Sequence, residues 1–273
     1  PTSPLMNRLY TIVRAYPTLL RIGLAEAIAY RAEFIVWMLT TTLPLIMLVV
    51  FAAAAREAPI GRFGQADFAA YYLATLIVRQ MTGAWVVWEL TMEIRQGTLP
   101  LKLLRPLHPL IAYSAENLAA IPMRAAIAVP IAVVMLIFTG RAHFTHDPLQ
   151  LFTFLVALCG AWLLQFAFMS IIGTLGMYIE SALAVFDLWM GLFAVLSGYL
   201  VPLELFPHWV QKVANVLPFR YMLGFPVELL TGGLTRGGAL RQLGLQWAWA
   251  GAALLGARAL WRAGTRRYEA YGG

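Results

Sequence analysis

The chain is short of cysteine, of charge and of long polar stretches, and each shortage removes a class of protein. Its 273 residues hold one cysteine, Cys159, inside an apolar run. A single thiol builds no disulfide framework within a chain, so redox compartment is not legible, and a thiol in such a run serves as packing filler. Charged residues are 12% and hydrophobic residues 61% of the total, against about 25% and about 45–50% in soluble domains. No polar stretch exceeds the loops and tails between apolar runs, which leaves no room for a separate soluble domain. The apolar runs recur along the whole length, so they are not one cleaved leader. These absences leave a polytopic, all-α membrane chain of one domain.

Acidic residues are also few: 13 against 20 Lys and Arg, a formal charge of +7. Nucleic-acid binding requires the cations on one soluble face. Here they are scattered between apolar runs, the distribution that orients membrane proteins, with Lys and Arg gathered on the cytoplasmic side. No G-x-x-x-x-G-K-[ST] phosphate loop occurs, so any ATP is bound by another chain. No G-x-S-x-G segment occurs either, and Ser197 in LSGYL has no evident base. The four histidines, His108, His143, His146 and His208, all fall in loops. His143, His146 and Asp147, in HFTHD, have metal-ligand chemistry, but Asp147 precedes Pro148 in what reads as a turn; a solvated loop is the plainer reading, and no metal is assigned. No acidic ring or filter-like segment points to a channel.

A bilayer core of about 30 Å takes roughly 20 helical residues. Six runs approach that length: 34–54, 68–88, 118–139, 149–172, 182–200 and 239–261. The segments outside them divide by charge. Arg8, Arg14, Arg21 and Arg31 precede the first run, Arg95, Lys102 and Arg105 follow the second, and Arg262, Arg266 and Arg267 follow the sixth. The intervening segments hold Arg56 and Arg62, then Arg141, then Lys212, Arg220 and Arg236 over a long connection. Both termini and the segment after run two are therefore expected in the cytoplasm, with the chain in the inner membrane. Residues 1–33 mix Arg with Leu, Ile and Tyr and are divided by Pro17, which fits a helix on the membrane surface or a plain cytoplasmic leader. Residues 201–238 carry Pro202, Pro207, Pro218 and Pro226, leaving apolar pieces too short to span, with Trp209, Val210, Val213, Val216 and Leu217 at helical spacing. They read as a re-entrant hairpin in the outer leaflet or as a structured outer loop.

The segment after run two, EIRQGTLPLKLLRPLHPL, is the most particular. Thr98 suits a cap, Pro100 a first helical turn and Pro106 a stop, predicting about seven residues of helix, roughly 10 Å long. A helical wheel puts Leu99, Leu103 and Leu104 on one side and Lys102 and Arg105 on the other. Such a two-faced peg fits a groove on a soluble partner, or rests as an interfacial loop with its leucines on lipid. Inside the runs, Arg79 and Asp187 are the charges that need explaining, as an ion pair, as path-lining groups or as separate snorkelling residues.

Three stretches together resemble the permease subunits of type-2 ABC exporters: AYRAEFIVWMLTTTLPL at run one, EIRQGTLPLKLLRPLHPL after run two, and SGYLVPLELFPHWVQKVANVLPFRY before run six. The resemblance, with the spacing of the runs, covers nearly the whole chain. It implies six transmembrane helices in a single domain, with an N-terminal elbow helix over 1–33, spans one to five over 34–200, a re-entrant hairpin over 201–238, and span six with a cytoplasmic tail over 239–273. It implies partners: two cytoplasmic ABC ATPases that bind ATP and Mg, and a second permease, either the same chain or a sister. It implies that Glu93, Arg95, Gly97, Leu99, Lys102, Leu103, Leu104 and Arg105 form the ATPase-coupling element. The hairpin around Pro202, Pro207, Trp209 and Pro218 is then the outer closure, and Arg79 and Asp187 lie on spans that line the path. The function implied is export by alternating access. A polytopic intramembrane enzyme acting on lipid-linked substrates is the alternative.

Overall fold

The computed structural model describes residues 4–30, 43–139 and 144–271. Every regular element among them is helical, apart from a bridge between Ile60 and Phe63. In chain order the helices are α1 (Pro4–Ala29), α2 (Leu43–Ala54), α3 (Gln65–Thr82), α4 (Val86–Gln96), α5 (Leu99–Leu103), α6 (Pro109–Ala119) and α7 (Ile121–Thr139). They continue with α8 (Pro148–Leu175), α9 (Ala182–Leu196), α10 (His208–Val216), α11 (Phe219–Met222), α12 (Gly224–Leu230) and α13 (Arg236–Tyr271). Residues 34–42 of the first expected span, together with Arg31, Arg141 and His143, lie outside the described residues.

Among the described residues, α8 is the one helix both long and apolar enough to cross a membrane by itself; α2 and α9 are shorter apolar helices. With 28 residues, α8 is about 42 Å long. It is the central pillar, packed by α3, α4, α9, α11, α12 and, along the longest seam, α13. That seam is close because small residues face each other, Ala157, Gly160, Ala161 and Ala167 of α8 against Ala239, Ala250, Ala253 and Ala257 of α13. A buried glutamine ties the seam to a third helix. Gln246, fully buried, donates from Nε2 to the carbonyls of Ala157 (2.9 Å) and Tyr221 (2.8 Å). Gly160 makes the room, since a Cβ there would lie 2.8 Å from the Gln246 amide oxygen.

The expected span 68–88 is two helices. α3 stops at Thr82 and α4 starts at Val86, because the break is filled from elsewhere: Asn117 of α6 accepts from the Trp85 amide at 2.7 Å, and Arg124 of α7 donates to the Gly83 carbonyl. Expected spans 118–139, 182–200 and 239–261 correspond to α7 preceded almost without interruption by α6, to the shorter α9, and to the longer α13. α9 ends early because the chain turns at Gly198, φ +85°. Tyr71 and Tyr72 of α3 hold that turn by donating to the Gly198 (2.7 Å) and Leu200 (2.8 Å) carbonyls.

α1 runs through Pro17 rather than breaking there. Proline removes its own donor and crowds the carbonyl one turn back, but tertiary docking holds the helix across it. Tyr16 hydroxyl meets Ser114 Oγ at 3.1 Å, and Gly23 brings α1 against α6 so closely that a Cβ would lie 3.0 Å from the Ala119 Cβ. The free side of α1 shows Tyr10, Val13, Ile22 and Ile28 among Arg14 and Arg21.

Contacts define two ends of the bundle. One gathers α5, the α1–α6 pair, the α8–α9 turn and the last turns of α13. The other gathers the start of α3, the Ser197–Leu200 turn and α10 to α12. There α11 and α12 are buried against α3 and α8 while α10 stays outside. The wheel expected one apolar face on α10, but its face is split. Val210 and Ala214 point in, whereas Trp209, Val213 and Val216 are exposed. Three of the four prolines introduce an element, Pro202 before the Leu203–Leu205 turn, Pro207 before α10 and Pro218 before α11, whereas Pro226 lies within the first turn of α12.

Candidate functional site

At the α5 end, α4 finishes in a left-handed residue. Gly97 has φ +68°, and the amides of Gly97 and Thr98 bond back to the carbonyls of Ile94 (3.3 Å) and Glu93 (3.0 Å). Nothing lies within 4 Å of a Cβ at Gly97, so the backbone angle rather than space requires glycine. The reversal starts α5 at once. α5 has five residues instead of the expected seven, and Thr98, itself near helical, makes no side-chain cap. Pro100, near the start of α5, has no N–H, so no capping acceptor is needed at that position.

The orientation of α5 differs from the wheel. Leu99 is fully buried and Leu103 packs on the core, but Leu104 is 83% and Leu101 65% exposed. Lys102 is turned inward. Its Nζ lies 2.7 Å from Glu93 Oε1, 3.9 Å from Glu116 Oε1 and 4.2 Å above the centroid of the Tyr113 ring. Tyr113 hydroxyl donates to the other Glu93 oxygen at 2.5 Å. The inner face is thus Leu99, Lys102 and Leu103, and the outer face is Leu101, Leu104 and the exposed Arg105. A lysine stem lies readily along apolar surface, and three half-buried carboxyl groups nearby decide where its charge goes. Arg95 adds a second fastening, donating from Nη2 to the Glu180 carbonyl of the α8–α9 turn at 3.1 Å.

The third carboxyl is Glu89, one turn before Glu93. Burial, followed by repulsion from Glu116, pushes it up to about 7, against the pull of Lys102 and Arg124. Glu116 is raised as well, first by burial. Tyr113 is raised by burial and by its bond to Glu93. Sequence reading singled out neither Glu89 nor Tyr113; an acid every fourth residue, at 89 and 93, opposite a lone lysine was the available signal.

Arg79 and Asp187 are not brought together. Arg79 stacks over the rings of Phe193 (5.4 Å) and Tyr199 (6.0 Å), while Asp187 is exposed on α9 beside Leu188. Arg124 of α7 is 3% exposed.

The opposite end is laced by ion pairs. Arg62 makes a bidentate pair with Glu204, and Arg220 makes one with Glu228 while also donating to Asn215. Asp147 caps α8 through the Leu149 amide (3.1 Å) and accepts from Arg236 Nε (2.8 Å), so both its oxygens serve structure. Behind Arg62 and Glu204 a cavity of about 310 Å³ is lined by Tyr71, Phe144 and Glu228 among others.

α5 is thus a short helix locked to its own bundle, with Leu101 and Leu104 exposed on its outer side. No curated protein matches the chain. Residues 36–272 match the family described as ABC-2 family transporter protein, and the chain belongs to that family of transport membrane components.

Proposed function

We propose that the chain is the permease subunit of an ATP-driven exporter in the inner membrane, receiving its work at α5. α2, α3 with α4, α6 with α7, α8, α9 and α13 run alternately between the two ends, which supports six spans with both termini on the α5 side. α3 and α4 together have 18 and 11 residues, about 44 Å of helix, so residues 89–96 extend past a core of about 30 Å into the cytoplasm. α1 serves as the elbow helix, and α10 to α12 form the re-entrant closure at the outer end. Two cytoplasmic ATPases bind ATP and Mg, and a second permease completes the path. Closure of the ATPases displaces α5, and because Lys102 and Arg95 fasten it to α4, α6 and the α8–α9 turn, these helices move as rigid bodies between inward-open and outward-open states.

The observation that carries this reading is the pair Leu101 and Leu104, exposed on a helix whose other side is bolted down. Leu101→Asp with Leu104→Asp abolishes copurification of a Walker-motif ATPase and transport, while membrane insertion and melting temperature stay as in the parent chain. Retention of the ATPase by that variant overturns the assignment, as does labelling of residue 101 or 104 from outside intact cells.

A further inference from the structure

The break between α3 and α4 holds an excess of positive charge. Arg124 is almost fully buried, and among the described residues only its Nη1 is used, on the Gly83 carbonyl, while Nε and Nη2 have no partner there. Nη1 sits 3.0 Å from where a Cβ on Gly83 would be, so the guanidinium presses into the gap itself. Arg79, one turn earlier on α3, has a buried Nε that is also without a partner, and its plane lies on Phe193 and Tyr199 rather than on a carboxylate. The two guanidinium groups are near enough to repel each other. Among the described residues neither has a carboxylate within ion-pair distance. α4 begins at the same gap, and its first bonds run from the Trp88 and Glu89 amides to the Trp85 carbonyl. The preceding amides, Val86 and Val87, therefore have no partner inside the helix and point its positive end into the break.

Buried charge without a counterion is costly, and buried charges are ordinarily paired. The nearest acid is Glu89, whose Oε2 is itself buried and unpartnered, so Arg124 and Glu89 do not satisfy each other in this conformation. Two guanidinium groups and a helix start converging on one gap suit an oxyanion, which accepts several N–H bonds at once.

We propose that the α3–α4 break, with Arg124 and Arg79, is a binding site for an oxyanion group, a phosphate, sulfate or carboxylate, carried into the bundle on an amphiphile. It rests on the transport reading only in placing Arg79 along the path, and it gives that path a chemical preference. Arg124 makes the inner contact, Arg79 stands at the more open side, and Glu89 competes for the same cations. The cargo class is an anionic amphiphile, and an anionic membrane lipid is the other source of the same headgroup chemistry.

The test is equilibrium binding to the purified full chain in phosphatidylcholine nanodiscs, which requires no ATPase and so stands apart from the coupling assignment. Decyl phosphate binds the parent chain at least tenfold more tightly than it binds Arg124→Gln, and decyltrimethylammonium shows no saturable binding. Arg79→Gln weakens binding in the same direction, and Glu89→Gln strengthens it; these two serve if Arg124→Gln does not fold. Competition by phosphatidylglycerol added to the discs assigns the site to lipid headgroups. Its failure to compete, with decyl phosphate still bound, assigns the site to cargo, and inorganic phosphate competing at similar concentration shows that the headgroup alone suffices. Decyl phosphate affinity unchanged by both Arg79→Gln and Glu89→Gln, or equal saturable binding of the ammonium amphiphile, overturns the proposal.

Discussion

Lys102→Met separates the fastening of α5 from its docking face. The replacement keeps the stem's length and removes the charge, leaving Glu93 and Glu116 without the cation that lies 2.7 Å and 3.9 Å away. Removing one partner of a buried ion pair costs about 3–5 kcal/mol. The Lys102 and Glu93 side chains are 21% and 19% exposed, so solvent recovers part of that, and the lost contact with the Tyr113 ring adds about 0.5–1 kcal/mol. A net loss of roughly 2–3 kcal/mol follows, which for a chain of this size lowers the melting temperature by roughly 5–10 °C. Intrinsic tryptophan fluorescence of the detergent-purified chain measures it. Glu93→Gln with Lys102→Met recovers part of the loss, because the buried charge left behind is gone. Leu104→Asp, on the outer face, leaves the melting curve in place. A Lys102→Met chain that melts within 1 °C of the parent (about 0.3 kcal/mol) refutes the inward lysine, and equal destabilisation by Leu104→Asp refutes the outward leucine.

Two further changes probe the inner and outer ends. Glu89 has its folded-state value raised from 4.5 to about 7, so the folded chain holds a proton that the unfolded chain releases. Stability therefore falls as pH rises from about 4.5 to about 7, by on the order of 3 kcal/mol, and is constant above that. Glu89→Gln raises the melting temperature at pH 8 and leaves it nearly unchanged at pH 5; a constant difference across that range contradicts the burial argument. At the other end, Gly198→Ala puts a methyl 2.5 Å from the Tyr71 hydroxyl at a residue with φ +85°. Left-handed strain of about 1–2 kcal/mol and a lost hydrogen bond of about 1 kcal/mol sum to roughly 2–3 kcal/mol. Tyr71→Phe in the same chain restores part of it, and melting curves of the single and double variants decide the matter.

What the sequence made legible is what short-range chemistry controls. Gly97 ends α4 because only glycine sits easily at φ +68° there, and α8 was plain because a 28-residue stretch so predominantly apolar leaves little alternative to a helix. The facing of α5 was not legible. A wheel assigns cations to water, but in five residues, with only Leu99, Leu101, Lys102 and Leu103 to place around Pro100, tertiary partners decide, and Glu93, Tyr113 and Glu116 come from helices on either side of it. The α3–α4 break was hidden for the same reason, since Asn117 and Arg124, which hold it open, lie 32 and 41 residues from the groups they bond. In a chain so poor in charge, the polar residues within apolar runs are used to fasten helices to one another, as Gln246, Arg124 and Tyr71 show, and Lys102 does the same between runs. The surface left exposed on α5 is then leucine, and a cation that stays without a carboxylate among the described residues after all these fastenings, as Arg124 does, suits a group that these residues do not supply.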